Sequence, residues 1–197
     1  MNILLLASFT EKNTDNKYGG AKKVITKLAN WLSENTNNNI IFVRRNNIKF
    51  YIFGPDFNNR YNVIFNIIKD NKLQDCIILN HEIFSDVKVK TLLESDIFIQ
   101  TSRHEALPLG VFEALSYGLP CLVTVGTSLG EYIEKYNAGW VCETNANSIA
   151  ECIVRCINEK DLFKTKGQNA RKLIEQSFTW DNVAKETIGI YNNLLIE

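Results

Sequence analysis

Residues 95–123, SDIFIQTSRHEALPLGVFEALSYGLPCLV, decide how this chain is read. Residues 97–100 form a buried strand that closes on Gln100, and a polar loop over 101–108 follows. A short helix over about 109–117 leads to a second buried strand over 121–123. Ligands of an open α/β sheet bind beyond the carboxyl ends of its strands, and this loop occupies such a place. The helix start offers unpaired backbone N–H groups and a positive dipole end, which suit a phosphate.

Two carboxylates, Glu105 in the loop and Glu113 in the helix, are separated by seven residues. Beside an anion site they would repel a phosphate directly, so they are suited to accept hydrogen bonds from hydroxyls instead. A carboxylate can take both protons of a vicinal diol with charge-assisted strength. A ligand with a central diphosphate and diols at both ends satisfies the whole arrangement, and nucleotide sugars have that shape. The alternative is a Glu that merely complements the helix dipole.

The same stretch resembles the donor-binding signature of the retaining glycosyltransferases of the GT-B fold, group 1 (family four). Their pattern is a strand, a Pro-Ser pair, a Glu followed by glycine, seven residues to a second Glu, then A-x-x-x-G-x-P-V. Ser102, Glu105, Pro108, Gly110, Glu113, Ala114, Gly118 and Pro120 match it. The resemblance implies that Glu105 contacts and positions the donor sugar as the catalytic-site carboxylate, and that Glu113 holds the nucleotide ribose. Ser102 and the helix-start residues Leu109, Gly110 and Val111 are then donor-binding candidates. Ala106 stands where the family has glycine, and its Cβ would crowd a backbone that approaches the ligand closely.

Outward from this centre, the family likeness runs from about residue 48 to the C-terminus. A strand over 49–53 stops at Gly54-Pro55, and a helix over about 59–71 buries Val63, Ile64, Ile67 and Ile68. A strand over 76–79 and the loop NHEIFSD follow; in the family that loop passes the nucleobase, which makes His81 a candidate contact. Asp86 is a candidate cap for a helix over 87–93. His104, next to Glu105, is read as a lining residue. After the strand that ends at Thr124, Gly126, Thr127, Ser128 and Leu129 resemble a family loop whose amides face the donor; the alternative is a Thr/Ser helix cap. A strand over 138–142 and helices over 148–157, 161–175 and 180–195 close the chain. The last helix follows Phe178-Thr179-Trp180-Asp181, similar to the family's closing segment, which packs back on the amino-terminal domain in complete enzymes.

The first 46 residues read differently. An apolar strand over 2–9, a loop ending in Gly19-Gly20, a helix from Ala21 and a strand over 40–43 make one β–α–β unit. Gly20 is a candidate contact to the donor phosphates. The family's Arg–Lys pattern and acceptor-domain loop are not visible, although Arg44 and Arg45 are basic. The expected organisation is therefore an acceptor-domain fragment over 1–46 and a Rossmann-like α/β donor domain over 47–197, a parallel sheet flanked by helices.

Composition sets the outer bounds. With 197 residues, 45% hydrophobic and 22 basic against 22 acidic groups, the chain is an ordinary globular one without the charge signature of nucleic-acid binding. Its five cysteines include no C-x-x-C pair, and Cys152 and Cys156 without a nearby His make no convincing metal site. Reduced core cysteines and a cytoplasmic location are expected. The N-terminal apolar run has neither the length of a membrane span nor a basic flank; peripheral membrane association is compatible with it.

The resemblance implies transfer of a sugar, with retention, from a nucleotide-diphosphate sugar to the hydroxyl of a glycan, lipid-linked or small-molecule acceptor. Polysaccharide or glycoconjugate biosynthesis is the expected setting, with no metal and no cofactor beyond the donor substrate. The alternatives are a non-catalytic nucleotide-sugar binding module, or a fragment that needs another subunit. An epimerase of the same fold is disfavoured by the lack of its catalytic His and acid residues.

Overall fold

The structure, a computed structural model, describes residues 2–6, 49–54 and 60–194. Among the described residues six parallel strands form one sheet: β1 (Asn2–Leu6), β2 (Lys49–Phe53), β3 (Ile77–Asn80), β4 (Ile97–Gln100), β5 (Cys121–Thr124) and β6 (Gly139–Cys142). Their order is β3-β2-β1-β4-β5-β6, the doubly wound Rossmann order. The helices are α1 (Arg60–Asp70), α2 (Ser85–Leu93), α3 (Leu109–Ser116), α4 (Gly130–Lys135), α5 (Ala146–Asn158), α6 (Phe163–Ser177) and α7 (Trp180–Leu194).

One expectation needs correction. The strand expected over 2–9 in a separate amino-terminal fragment is β1, over 2–6, and it sits in the middle of the sheet. Ile3 pairs with Phe50 of β2 on one side and with Ile97 of β4 on the other. A parallel ladder on both edges makes β1 part of the same sheet as residues 47–197, so the division at 46/47 does not separate two sheets. The glycine pair Gly19-Gly20, the helix from Ala21, the strand over 40–43 and Arg44-Arg45 lie outside the described residues.

Alternation along the central strands builds a core on each face of the sheet. Ile97, Ile99 and Leu122 face one layer, with Ile64 and Ile68 of α1 and Ile149 and Ile153 of α5. Phe98, Cys121 and Val123 face the other, with Val111, Ala114 and Leu115 of α3, Ile133 of α4 and Leu173 of α6. Of the predicted α1 stripe, Ile64 and Ile68 are buried and Ile67 is half-buried. The Val63 side chain lies outside the described residues. All five cysteines are buried and none forms a disulfide, as small apolar residues would be.

Two helix starts differ from expectation. Asn145 accepts from the Ser148 amide (3.0 Å), so α5 begins two residues earlier than the apolar pattern suggests. Asp86 lies inside the first turn of α2 and does not cap it. Among the described residues α7 buries none of its side chains, and Trp180 is 89% exposed. The segment before it is anchored instead: the Phe178 ring meets Phe112 and Tyr132 edge-on, each at 4.9 Å. Thr179 Oγ1 accepts from the Asn182 amide to start α7.

Lys166 of α6 is buried. Its ammonium donates to Asn137 Oδ1 and to Gly139 O (3.0 Å), and lies 4.8 Å from the centre of the Trp140 ring. Burial pushes its pKa below the ordinary lysine value, with the Glu159 carboxylate opposing. Lys166→Met should cost about 1.5–3 kcal/mol at neutral pH, because two acceptors lose a charged donor. The unfolded chain holds more protons than the native one between the lowered pKa and 10.5. Wild-type stability should therefore rise relative to Lys166→Met as pH approaches that value, measured by urea unfolding of both chains.

Candidate functional site

Two loops at the carboxyl edge of the sheet, after β4 and after β5, are stitched together. The Glu105 amide donates to Gly126 O (2.9 Å) and the Ser128 amide to Glu105 O (3.0 Å), an isolated parallel bridge pairing Glu105 with Thr127. Thr124 Oγ1 donates to Ser102 O (2.5 Å), and Ser128 Oγ to Ala106 O (2.9 Å). Only glycine fits at 126: a Cβ there would lie 2.1 Å from Arg103 O and 2.7 Å from Ser102 O. The backbone around Glu105 is thus fixed before any ligand arrives.

Side chains continue the pattern. Gln100, 7% exposed, directs Nε2 toward Ser102 Oγ (3.2 Å) and Glu105 Oε2 (3.5 Å), which turns the carboxylate toward the loop cluster. Thr127 is 2% exposed, and its Oγ1 has no hydrogen-bond partner among the described residues. A buried hydroxyl without a partner is costly in a native fold. Thr127 and Ser128 do not cap α4, which has Leu129 at its N-cap position and no side-chain cap bond. His104 is exposed on the same loop.

A cavity of about 260 Å³ opens between α2, α3 and strands β2 and β4. Its apolar wall is Phe53, Ile83, Phe84, Leu92 and Phe98, and its floor includes Gly54 and Gly110. Glu82, Lys88 and Glu113 supply its charges. Lys88 Nζ lies 2.5 Å from Glu113 Oε2. Ser85, next in sequence to Phe84, holds a left-handed φ of 50°, a conformation that costs a non-glycine residue on the order of 1 kcal/mol.

The predicted site residues therefore fall into two groups. Glu113 and Gly110 line the cavity; Ser102, Glu105, Gly126, Thr127 and Ser128 form the stitched loops. Gly20 lies outside the described residues. The helix start differs from expectation. The Leu109 amide is taken by Leu107 O and the Val111 amide by Pro108 O, both at 2.9 Å, because the first turn of α3 is tight. Val111 is also fully buried. Of the three, only the Gly110 amide carries no bond to a backbone acceptor among the described residues. His81 is exposed and stacks on Tyr61 at 4.8 Å rather than lining the cavity. Sequence reasoning missed Gln100 and Lys88; a polar residue ending an otherwise apolar strand was the available signal for the first, and nothing marked the second.

The fold and this edge of the sheet define a Rossmann-type α/β domain. The family model for group 1 glycosyl transferases matches residues 16–173, and the chain belongs to that family. Over 143 residues it is 23% identical to N-acetyl-alpha-D-glucosaminyl L-malate synthase of Bacillus anthracis, covering 72% of this chain and 36% of that protein. The chain spans about a third of the length of the curated relatives it matches. The fold is shared with HepE from Anabaena in complex with UDP (TM-score 0.69, 15% identity, 97% of this chain and 48% of that one). It is also shared with the C-terminal domain of LpcC, a group 1 family protein from Francisella tularensis (TM-score 0.67, 16% identity). That match covers 91% of this chain and 86% of the isolated domain, in keeping with β1 lying inside the sheet.

Gly126→Ala should loosen the stitched loops, since the contact is with backbone and cannot be relieved by a side-chain rotation. The expected loss is about 1–3 kcal/mol, as for other overpacked sites. Urea unfolding measures it, and proteolysis within residues 101–108 should quicken in the variant.

Proposed function

We propose that this chain is the donor-binding domain of a retaining glycosyltransferase that takes its sugar from a nucleotide diphosphate. The observation that carries the reading is the cavity at the carboxyl edge of the sheet, which joins an apolar wall to Glu113 and to the Gly110 amide. A nucleoside needs that combination: a flat surface for the base and a carboxylate for the ribose diol. The diphosphate would run past Gly110 toward the stitched loops, where Glu105 meets the sugar. The UDP held by a protein of the same fold supports the direction of this reading.

In the reaction, the bond between the anomeric carbon and the diphosphate oxygen breaks. A bond from that carbon to the acceptor oxygen forms on the same face, and the acceptor proton passes to the departing diphosphate. Glu105 acts in binding and positioning the sugar, and the leaving group draws on backbone amides and basic groups. No resident metal takes part. The acceptor is a glycan, a lipid-linked sugar or a small molecule, and the setting is cytoplasmic glycoconjugate synthesis. Among the described residues no helix is long and apolar enough to cross a membrane.

Calorimetric titration with UDP, GDP and their common sugar conjugates tests the reading. One nucleotide should bind, and Glu113→Ala should weaken it by about 1–3 kcal/mol, the value of a charged hydrogen bond. A folded chain that binds none of them would end the proposal. Slow donor hydrolysis that depends on Glu105 would mark an enzyme, whereas binding without turnover would mark a nucleotide-sugar binding module.

A further inference from the structure

Lys88 has no part in the reading above, yet it stands in the cavity against the residue given the ribose. Lys88 and Lys90, two apart on α2, point different ways. Lys90 pairs along its own helix with Glu94 at 3.8 Å, while Lys88 reaches across to Glu113 on α3. Leu92, one turn beyond Lys88, is buried in the same cavity wall, so this face of α2 is turned inward. Both partners of the pair are about one-third exposed, at 36% and 29%.

The chemistry left over on each partner is specific. The Lys88 ammonium has three donors and spends one on Glu113 Oε2, while Oε1 of the same carboxylate is not part of the ion pair. The pair therefore presents an acceptor beside a donor. A hydroxyl is both donor and acceptor, and two neighbouring hydroxyls match that arrangement: one gives its proton to Oε1 and the other receives a proton from the ammonium. The lysine also offsets the carboxylate charge, which would otherwise oppose a diphosphate bound nearby.

We infer that Lys88 is a specificity-determining residue for the nucleotide ribose, and that the Lys88–Glu113 pair reads the diol as a unit. This rests on the donor-site reading of the cavity. Removing the ammonium should then weaken binding of a nucleotide that carries both hydroxyls more than one that lacks the hydroxyl facing the lysine.

The test is calorimetric titration of the full chain and of Lys88→Met and Lys88→Arg with UDP, GDP and the 2′-deoxy and 3′-deoxy forms of each. Lys88→Met should lower affinity for the favoured ribonucleotide about tenfold, as a lost charged hydrogen bond does. One deoxy form should bind the wild type and Lys88→Met alike, and Lys88→Arg should keep part of the wild-type preference. Lys88→Gln serves the same comparison should Lys88→Met not fold. Equal losses on ribo and deoxy forms, or tighter binding by Lys88→Met, would overturn the inference; nucleotide binding that Glu113→Ala weakens would leave the donor site standing. A folded wild type that binds no nucleotide would overturn both.

Discussion

The backbone of Glu105 is held on both sides by the loop after β5, and everything functional at this edge of the sheet depends on that constraint. The two loops approach closely enough to exchange amide bonds because residue 126 has no Cβ. Thr124 and Ser128 then add side-chain bonds across the same seam. A carboxylate on a free loop would lose rotational freedom on meeting a ligand; one on a fixed backbone, steered by Gln100, has already lost it. The Thr127 hydroxyl, without a partner among the described residues, is the cost of burying a polar group at this seam, and such exceptions gather where a fold serves a ligand.

The cavity works by a different rule. Its apolar walls come from Phe53 at the end of β2, Phe98 of β4, Ile83 and Phe84 just before α2 and Leu92 in its last turn, so they belong largely to the packing around the sheet. Charge enters with Glu82, on the loop before α2, and where α2 and α3 face one another, as the Lys88–Glu113 pair. An ion pair at a half-exposed site adds little to stability. Its value lies in direction, since it orients a carboxylate inside a cavity that the core has already shaped.

Away from the site, the far end of the chain is secured by a few well-placed groups. Phe178 wedges between Phe112 of α3 and Tyr132 of α4, and Lys166 ties α6 to the loop before β6 and to Gly139. These contacts leave α7 without a buried side chain, so its apolar residues Ile188, Ile190 and Leu194 remain exposed.

Period and motif spacing alone determined much of this protein. The buried runs at 49–53, 97–100 and 121–123 could only be strands of a doubly covered parallel sheet, and they are. The Glu105-to-Glu113 spacing between two of them pointed to the sheet's carboxyl edge, and the group 1 family follows from that motif and its context. Tertiary structure decided the rest. A strand's own residues do not say which strands it will pair with, so β1 read as the start of a separate fragment and proved to be central. A helix start does not reveal which of its amides a tight turn will consume, so Leu109 and Val111 read as donors, and of the three only the Gly110 amide is left without a backbone acceptor among the described residues. Lys88 and Glu113 lie 25 residues apart in sequence, and only the packing of α2 beside α3 brings their charges together.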